Sequence, residues 1–563
     1  MASKLFFPIS VPFFVILPFF FASLSYAAES YNNPNKTVSP GTICMFTPYP
    51  SYCKSLLPSG TSNVYGYGRF SIQKSLSQSN TFLDLLEKYL QRGSSLSTNT
   101  VSALQDCRFL IGLNMDFLSN SIENVNKTSW FLPVLEADRL QTFLSAILTN
   151  QQTCLDGLKE TESASSVTNE LLGPISNNTK LYSVSLAFFT RGWVPRSLNW
   201  KPTRKHVTFR SNGRLPFKMS SRTRAIYDSV RGRKLLQSVD DQVTVFDIVV
   251  VSKDGSGNFT NITDAINAAP SNIKPADGYF LIYVTAGVYE ENVSIPKSKR
   301  YLLMVGDGIN QTIVTGNRSV ADGSTTFNSA TFAVVATGFV GVDMTFRNTA
   351  GAIKHQAVAV RNGADTSTFY RCSFEGYQDT LYTHSLRQFY RECDIYGTVD
   401  FIFGNAAVVL QNCNIYPRLP MSGQFNAITA QGRIDPNQNT GTSLHNCTIR
   451  AADDLASSNT TTETYLGRPW KEYSKTVFMQ SFMDSLISPA GWRAWNGSFA
   501  LSTLYYAEYD NTGPGSDTAE RVTWSGYHVI NSITDAANFT ASDMLLGENW
   551  LPQTGVPYTS GLI

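Results

Sequence analysis

The fold is decided by the stretch from residue 356 to residue 404, which reads QAVAVRNGADTSTFYRCSFEGYQDTLYTHSLRQFYRECDIYGTVDFIFG. Gln356 precedes Gln378 by 22 residues, and Asp379 precedes Asp400 by 21. A period of about 20–25 residues is typical of one turn of a solenoid. Residues one turn apart would stack about 4.8 Å from each other, which is the spacing of neighbouring strands. The period therefore predicts a small ladder of two amides and two carboxylates.

Three cysteines repeat this period, since Cys372, Cys393 and Cys413 lie 21 and 20 residues apart. From residue 243 onward, short runs of β-branched and aromatic residues alternate with Gly, Asn and Asp turns. Short strands at this spacing fit a sandwich or a solenoid, and the shared period favours an all-β, right-handed parallel β-helix. On the period alone, Cys393 could bond to Cys372 or to Cys413.

The region 40–191 has a helical pattern instead. Apolar residues recur at three- and four-residue spacing in the four segments 70–90, 101–125, 134–158 and 167–189. Short polar connections between them predict an all-α, up-and-down four-helix bundle. Cys44 and Cys53 could staple an N-terminal hairpin, and Cys107 and Cys154 could join the second and third helices. No cluster of acids, bases or metal ligands stands out here, so we interpret the region as a binding module.

Length and composition indicate an exported, multidomain protein. A chain of 563 residues is expected to form two or more cores, and its net charge of +2 gives no reason to expect a nucleic-acid partner. Residues 1–27 contain Lys4, an apolar run and Ser25-Tyr26-Ala27, which together predict a secretory signal peptide. A retained membrane anchor is the alternative. After residue 27 no segment has the length and purity of a membrane span, so we expect a secreted, extracellular protein with no stable membrane association. Eight cysteines and numerous Asn-x-Ser/Thr sequons fit a disulfide-bonded glycoprotein.

Residues 192–236 show neither period, are rich in Lys and Arg, and contain few acids. We interpret this stretch as a solvated basic linker. Its sharpest feature is a candidate processing site formed by Arg233, Lys234, Leu235 and Leu236. A dibasic pair in a linker between two domains is accessible to a processing protease. The expected mature chain covers residues 237–563.

The ladder has the parts of an acid–base site. Two carboxylates held close together in a partly dry groove cannot both ionise easily, so one keeps its proton. That arrangement supplies one nucleophile and one acid, while the neutral glutamines can donate hydrogen bonds to an oxyanion. These parts suit hydrolysis of a carbonyl substrate through an acyl-enzyme. A hydrogen-bonded ladder with no catalytic role, or a calcium site, is the alternative.

Two sets of motifs resemble known plant families. Five ordered blocks over residues 243–555 resemble the signatures of plant pectin methylesterases: Gly287-Val288-Tyr289-Glu290-Glu291, Gln356-Ala357-Val358-Ala359-Val360, Gln378-Asp379-Thr380-Leu381, Asp400-Phe401-Ile402-Phe403-Gly404 and Leu466-Gly467-Arg468-Pro469-Trp470. Val360 stands where Leu is usual. The N-terminal region resembles the plant invertase/pectin methylesterase inhibitor family through Cys44-x8-Cys53, Ala103-Leu104-Gln105-Asp106-Cys107 and Thr153-Cys154-Leu155-Asp156-Gly157. The dibasic-Leu-Leu sequence also resembles the site at which pro-forms of these esterases are cut.

The resemblance implies a pectinesterase (EC 3.1.1.11) that hydrolyses methyl esters of homogalacturonan in the cell wall, without a cofactor or metal. It implies that Asp400 is the nucleophile, Asp379 the general acid and later base, and Gln378 the oxyanion stabiliser. Substrate binding is implied for Thr326, Gln356, Arg468 and Trp470, with Arg468 also orienting Asp400. The resemblance favours a Cys393–Cys413 disulfide. The expected partners are methyl-esterified galacturonan, a proteinaceous inhibitor and a processing protease, and the bundle either blocks the groove or assists folding.

Competing activities make different demands on the sequence. A Ser-His-Asp esterase should contain Gly-x-Ser-x-Gly, which does not occur. A pectin lyase or polygalacturonase would share the β-helix but should not carry both the Gln-Asp-Thr-Leu and the Leu-Gly-Arg-Pro-Trp blocks. An inhibitor fused to a decayed esterase is the non-enzymatic hypothesis, and the intact Asp379, Asp400 and Arg468 argue against it.

Overall fold

The computed structural model describes residues 33–195, 217–218, 220–221, 223, 225–227 and 243–563. Two short helices, α1 (Pro40–Ile43) and α2 (Pro50–Leu56), precede four long antiparallel ones. The long helices are α3 (Val64–Gln91), α4 (Thr98–Val125), α5 (Val134–Glu160) and α6 (Ser165–Gly192). Asn63 caps α3 and Ser97 caps α4, each by accepting a backbone N–H from the first turn. The predicted four-helix bundle is confirmed.

The second part of the chain is a parallel β-helix built from three sheets, here called A, B and C. Sheet A contains twelve strands: Phe217–Lys218, Val243–Val251, Tyr279–Val284, Leu302–Val305, Val340–Val342, Ser367–Tyr370, Arg387–Arg391, Ala407–Gln411, Gly441–His445, Lys475–Met479, Tyr505–Tyr509 and Tyr527–Val529. Sheet B contains eight strands: Gly287–Glu290, Thr312–Gly316, Thr345–Asn348, Ser373–Glu375, Asp394–Gly397, Asn414–Pro417, Thr448–Ile449 and Phe482–Met483. Sheet C contains seven strands: Val293–Ile295, Phe332–Val334, Val360–Asn362, Leu381–Thr383, Ile402–Gly404, Asn426–Gln431 and Thr464–Gly467.

Short helices accompany the strands, namely Ile262–Ala268, Asp453–Ala456, Ile533–Ala537, Ala541–Leu545 and Leu551–Thr554. Each central turn contributes one strand to A, one to B and one to C, and neighbouring turns pair in parallel. The period seen between residues 356 and 404 is therefore one turn of this β-helix.

The chain turns from sheet A to sheet B at a corner that has the same backbone conformation on successive turns. Arg371, Glu392, Asn412 and Asn446 occupy this corner on successive turns, with φ values of 50°, 53°, 56° and 54°. A left-handed residue turns the chain sharply, and the strand of sheet B begins two residues later. Inside the turns, aromatic rings form a continuous stack, in which Phe369 lies 5.3 Å from Tyr390 with an interplanar angle of 4°. This apolar interior keeps the strands in register.

The structure confirms two of the three expected disulfides. Cys44 bonds to Cys53 and Cys107 bonds to Cys154. The expected Cys393–Cys413 disulfide is absent and is a correction, because both residues are free, buried thiols, as are Cys372 and Cys447. All four follow the left-handed corner residue on successive turns and face the interior in parallel register.

The linker contains more structure than predicted. Phe217–Lys218 pairs in parallel with Val243–Val251 at the first strand of the β-helix, and Tyr227 is buried with its ring 5.7 Å from that of Tyr283. The pieces are too short to produce a periodic pattern, so sequence reasoning missed them. The predicted signal peptide at 1–27 and processing site at 233–236 lie outside the described residues. Across the described ranges, no helix is long and apolar enough to cross a membrane.

Candidate active site

Asp379 and Asp400 occupy equivalent corners on neighbouring turns of the β-helix. Each stands two residues before a strand of sheet C, where Leu381 pairs with Ile402. Both have left-handed backbones, with φ of 64° and 54°, which Asp adopts more readily than most residues. Backbone strain of this kind is concentrated at functional sites, and here it aims two carboxylates into one groove.

The two glutamines align one turn apart, although their spacing is a residue longer than that of the aspartates. The backbone N–H groups of Ala359 and Val360 both donate to the carbonyl oxygen of Thr380, at 2.9 and 3.3 Å. This bulge absorbs the extra residue of the 22-residue interval. Gln356 and Gln378 are both half-buried, and Gln356 lines the same cavity as the two aspartates. Gln378 immediately precedes Asp379 in the chain and is not among the residues that line this cavity.

Arg468 holds Asp400 in place. Its Nε donates to Oδ1 at 2.8 Å and its Nη2 donates to Oδ2 at 2.7 Å. The guanidinium also lies over the ring of Trp495 at 4.1 Å and within 5.1 Å of the centre of Phe425. Two parallel hydrogen bonds fix the orientation of a carboxylate, and the aromatic contacts restrict the guanidinium itself. The predicted contact between Arg468 and Asp400 is thus present.

The two carboxyl groups differ in their surroundings. Burial raises the pKa of Asp379 well above its ordinary value, and the charges of Asp400 and Glu160 raise it further. Burial also raises the pKa of Asp400, but the hydrogen bonds and charge of Arg468 oppose that rise. Asp379 is therefore the group that keeps its proton, and Asp400 is the group that ionises first.

Aromatic side chains form the wall of the cavity. The rings of Tyr382 and Phe403 stack 4.2 Å apart, and the ring of Trp470 meets Phe403 edge-on at 5.9 Å. Gly432 makes room for Trp470, because a Cβ at that position would lie 2.8 Å from the indole. Thr326, the remaining residue predicted to bind substrate, also lines the cavity. The volume of the cavity is about 80 Å³, whereas pockets that hold small-molecule ligands usually measure about 300–1,000 Å³.

The cavity is small because helix α5 of the bundle lies across it. One face of α5 carries polar residues at three- and four-residue spacing that contact the β-helix. Along the helix these are Asp138, Gln141, Thr142, Ser145, Thr149, Thr153, Asp156 and Glu160. We call this set the α5 stripe. Glu160 lines the cavity, and its Oε2 accepts from Thr326 Oγ1 at 3.0 Å.

Charged contacts also join the bundle to the β-helix. Lys471 donates to Asp156, with Nζ–O distances of 2.8 and 3.1 Å, and Arg387 donates to Asp138 at 2.9 Å. Asp106 of α4 accepts from Thr325 Oγ1 at 2.6 Å and is buried at this interface. Burial raises the pKa of Asp106 to about 6. The bundle therefore presents several carboxylates to the groove.

Sequence reasoning found the groove and offered the bundle as one possible cover for it, but it missed the residues of the bundle that make the contact. The structure brings Asp379, Asp400, Gln356, Thr326 and Trp470 into one cavity, with Arg468 bound to Asp400. The α5 stripe was not predicted, because a polar helical face is usually exposed to solvent. Its signal was present in the run of Asn, Gln, Ser and Thr between residues 141 and 153, on a helix whose opposite face is apolar.

Among the residues that the structure describes, no histidine lines the cavity that holds the two carboxylates. His384 is buried beside the cavity, and its Nε2 lies 3.0 Å from Thr153 Oγ1 of the α5 stripe. Burial and the charge of Arg361 lower its pKa to about 3. A ring that stays neutral across the physiological range can pack and accept a hydrogen bond.

A parallel β-helix with a buried carboxylate pair and an arginine clamp defines a class of carboxylic ester hydrolase, here with a helical bundle over its groove. A family model described as Pectinesterase matches residues 248–548, and one described as Plant invertase/pectin methylesterase inhibitor matches residues 39–188. The chain therefore belongs to the pectinesterase family and carries an inhibitor-like N-terminal domain.

Relatives share this two-part organisation over their whole length. Probable pectinesterase/pectinesterase inhibitor 7 of Arabidopsis thaliana is 60% identical over 98% of this chain and 99% of its own. Pectinesterase 2 of Citrus sinensis is 44% identical over 96% of this chain and 97% of its own. Among solved structures, the pectin methylesterase from carrot is 52% identical, with a TM-score of 0.55. It covers 59% of this chain and 100% of its own, so the esterase part corresponds to a complete separate chain.

Proposed function

We propose that this protein is a secreted pectin methylesterase that removes methyl groups from esterified galacturonan in the cell wall. The products are methanol and a galacturonan carboxylate. The observation that carries the proposal is the bidentate contact of Arg468 with Asp400, beside a second buried carboxyl group, Asp379. Family membership supports the substrate class.

The first half of the reaction forms a covalent intermediate. The ionised Asp400 attacks the ester carbonyl carbon, and the carbonyl oxygen becomes an oxyanion to which Gln378 and Gln356 donate hydrogen bonds. When the tetrahedral species collapses, the bond to the methoxy group breaks and Asp379 gives its proton to the leaving methanol. An anhydride between Asp400 and the uronate remains.

The second half regenerates the enzyme. Asp379, now ionised, takes a proton from water, and the resulting hydroxide equivalent attacks the uronate carbonyl carbon of the anhydride. Asp400 leaves as a carboxylate, and the positive charge of Arg468 stabilises it. Trp470 offers an aromatic face to a sugar ring, and Thr326 contributes a hydroxyl at the same wall.

The bundle is proposed to keep the pro-enzyme inactive until it is removed. Glu160 and Asp156 occupy the cavity, and about 80 Å³ is too little space for a sugar chain. Cleavage at Arg233, Lys234, Leu235 and Leu236 by a processing protease would separate the two parts and leave a mature chain beginning near residue 237. Phe327 is buried at the interface with the bundle, and the centre of its ring lies 6.2 Å from that of Phe109 of α4; this apolar contact also fits a role for the bundle in folding of the groove.

The chemistry is tested with single substitutions in the chain after the bundle has been cut off. Asp400→Asn and Asp379→Asn should each reduce methanol release from methyl-esterified pectin by at least about 1,000-fold, as expected for loss of a nucleophile or general acid. Far-ultraviolet circular dichroism and the melting temperature report whether the fold is preserved. A folded Asp400→Asn variant with undiminished activity would refute the assignment.

A further inference from the structure

Lys471 lies at the edge of the active-site cavity and has its charge satisfied by the bundle. It follows Trp470 directly in the chain, and its Nζ lies 4.7 Å from the centre of the Trp470 ring. Its side chain and that of Asp156 are each only 18% exposed, and the two form an ion pair with an N–O distance of 2.8 Å. Asp156 in turn lines the cavity that contains Asp379 and Asp400. A half-buried cation therefore contacts two residues, Asp156 and Trp470, that line the cavity with the reacting carboxylates.

Removal of the bundle would leave this cation without its counterion. In the part of the chain that the structure describes, Lys471 Nζ donates both of its hydrogen bonds to Asp156. Arg387 differs from Lys471 in this respect. It contacts Asp138 of the bundle, but it also donates to Asp365 of its own domain at 2.7 and 3.0 Å. Arg387 keeps a counterion in the mature enzyme, whereas Lys471 becomes available to a new anion.

Two carboxylates of the bundle, Asp156 and Glu160, lie in the groove in a row, as the carboxylates of a polyuronate would. Asp156 and Glu160 are four residues apart on α5, so their side chains lie one above the other on the same helical face. One carboxylate binds Lys471 and the other binds Thr326, a residue of the proposed substrate groove. A partly de-esterified galacturonan would bring negatively charged carboxylates along the same groove.

We propose that Lys471 is a specificity-determining residue that binds the free carboxylate of a galacturonate unit close to the ester being cleaved. In the uncut chain, Asp156 occupies the position of that carboxylate. This inference rests on the proposed pectin methylesterase function. Its consequence is that each demethylation creates a ligand for Lys471 and so favours further reaction on the same substrate chain. A charge-assisted contact of this kind is expected to change apparent affinity by about tenfold.

The test compares two substrates on the esterase part, obtained by cutting the full-length protein at a specific protease site engineered into residues 232–236. The substrates are galacturonan that is fully methyl-esterified and galacturonan in which about half of the units carry free carboxylates. Methanol release gives kcat and KM for each substrate. The variants are Lys471→Gln and Lys471→Arg. Lys297→Gln is the matched control, because Lys297 also pairs with a bundle acid, Asp116, but its side chain is 54% exposed, against 18% for Lys471.

For Lys471→Gln we expect KM to rise about tenfold on the partly de-esterified substrate, with kcat and the fully esterified substrate little changed. Lys471→Arg should have a KM on the partly de-esterified substrate close to that of the wild type, and Lys297→Gln should behave as wild type. High salt should remove the preference of the wild type for the partly de-esterified substrate. As a second measurement, fully de-esterified polygalacturonate should inhibit the wild type more strongly than Lys471→Gln.

Three outcomes would overturn the inference. Equal losses on both substrates would mean that Lys471 supports the site only structurally. Unchanged kinetics together with unchanged inhibition by polygalacturonate would mean that Lys471 binds no carboxylate. A wild-type esterase that releases methanol from neither substrate would refute the proposed function itself, and the inference would fall with it.

Discussion

Arg468 and Asp400 form a two-point ion pair between residues that are 68 positions apart in the chain, with N–O distances of 2.8 and 2.7 Å. Arg468 follows directly after the strand Thr464–Gly467 of sheet C, and Asp400 stands at the corner that leads into another strand of the same sheet. The solenoid thus brings two distant motifs onto one wall. This pair distinguishes Asp400 from Asp379, which has no such clamp among the residues that the structure describes.

Replacing Arg468 with Lys should reduce kcat much more than it affects folding. Lysine keeps the charge but cannot donate two parallel hydrogen bonds to one carboxylate. Loss of one charge-assisted hydrogen bond corresponds to about 1.5–3 kcal/mol, or roughly a tenfold to hundredfold fall in rate. The fall in kcat is measured as the rate of methanol release by the cut enzyme. An Arg468→Lys enzyme with wild-type kcat would show that the second hydrogen bond has no role in the reaction.

Neutralising Asp400 should lower the pKa of Asp379. The charge of Asp400 raises the pKa of Asp379, so Asp400→Asn removes a neighbour that disfavours ionisation, and it also frees the positive charge of Arg468. Both changes favour the ionised form of Asp379. Carboxyl-carbon NMR or infrared titration measures the shift, with Asp379→Asn identifying the signal. A pKa of Asp379 that stays the same or rises would contradict the coupling.

Docking of the bundle should be stronger in acid than at neutral pH. Burial at the interface raises the pKa of Asp106 from 3.8 to about 6 and also raises the pKa values of Asp138 and Glu160. A carboxyl whose pKa is higher in the docked state takes up a proton on docking. The docked form therefore gains stability as the pH falls from about 6 towards about 4, and it loses stability as the pH rises through that window.

After the linker is cut, the Kd between the two parts should thus be lower at pH 5 than at pH 7, by roughly tenfold from Asp106, whose pKa of about 6 lies in this window. Asp106→Asn should flatten part of this dependence. Asp116→Asn is the control, because Asp116 forms an exposed pair with Lys297 at the same interface. A Kd that is constant between pH 5 and 7, or lower at pH 7, would contradict the prediction.

Removing the Cys107–Cys154 disulfide should destabilise the bundle and leave the esterase intact. The bond joins α4 to α5 across 47 positions and lies next to Asp106 and Thr153, which both contact the β-helix. A cross-link of this length contributes about 2–4 kcal/mol by restricting the unfolded chain. Calorimetry of the paired variant Cys107→Ser/Cys154→Ser should show a lower melting temperature for the bundle alone. The Cys44–Cys53 pair, only 9 positions apart, serves as the comparison and should have a smaller effect. Equal losses from the two bonds would argue against the loop-length explanation.

Periodicity was enough to predict the architecture. The spacing of Asp379, Asp400 and the cysteines predicted a β-helix, and the apolar spacing between residues 70 and 189 predicted the four helices. Both signals arise from packing that repeats along the chain. The positions of the site residues followed from the same repeat, since residues one turn apart must lie on neighbouring strands.

Features that do not repeat could not be predicted in this way. The bulge at Ala359 and Val360 is a single irregularity, and a shared period does not decide whether Cys393 and Cys413 are bonded. The docking of α5 over the groove depends on complementarity between two surfaces that are distant in sequence. Ser145, Thr149 and Thr153 are fully or almost fully buried, yet each is a common surface residue on a helix. Only the folded chain reveals what they face.

The central claim is that this chain is a pectin methylesterase whose carboxylate pair is covered by its own bundle. The most direct test is the rate of methanol release from methyl-esterified pectin by the full-length protein, before and after it is cut at a protease site engineered into residues 232–236 and the bundle is removed. We predict little release before cutting, a large increase after it, and no increase when Asp400→Asn is cut in the same way. Equal rates from the uncut and cut proteins would contradict the account.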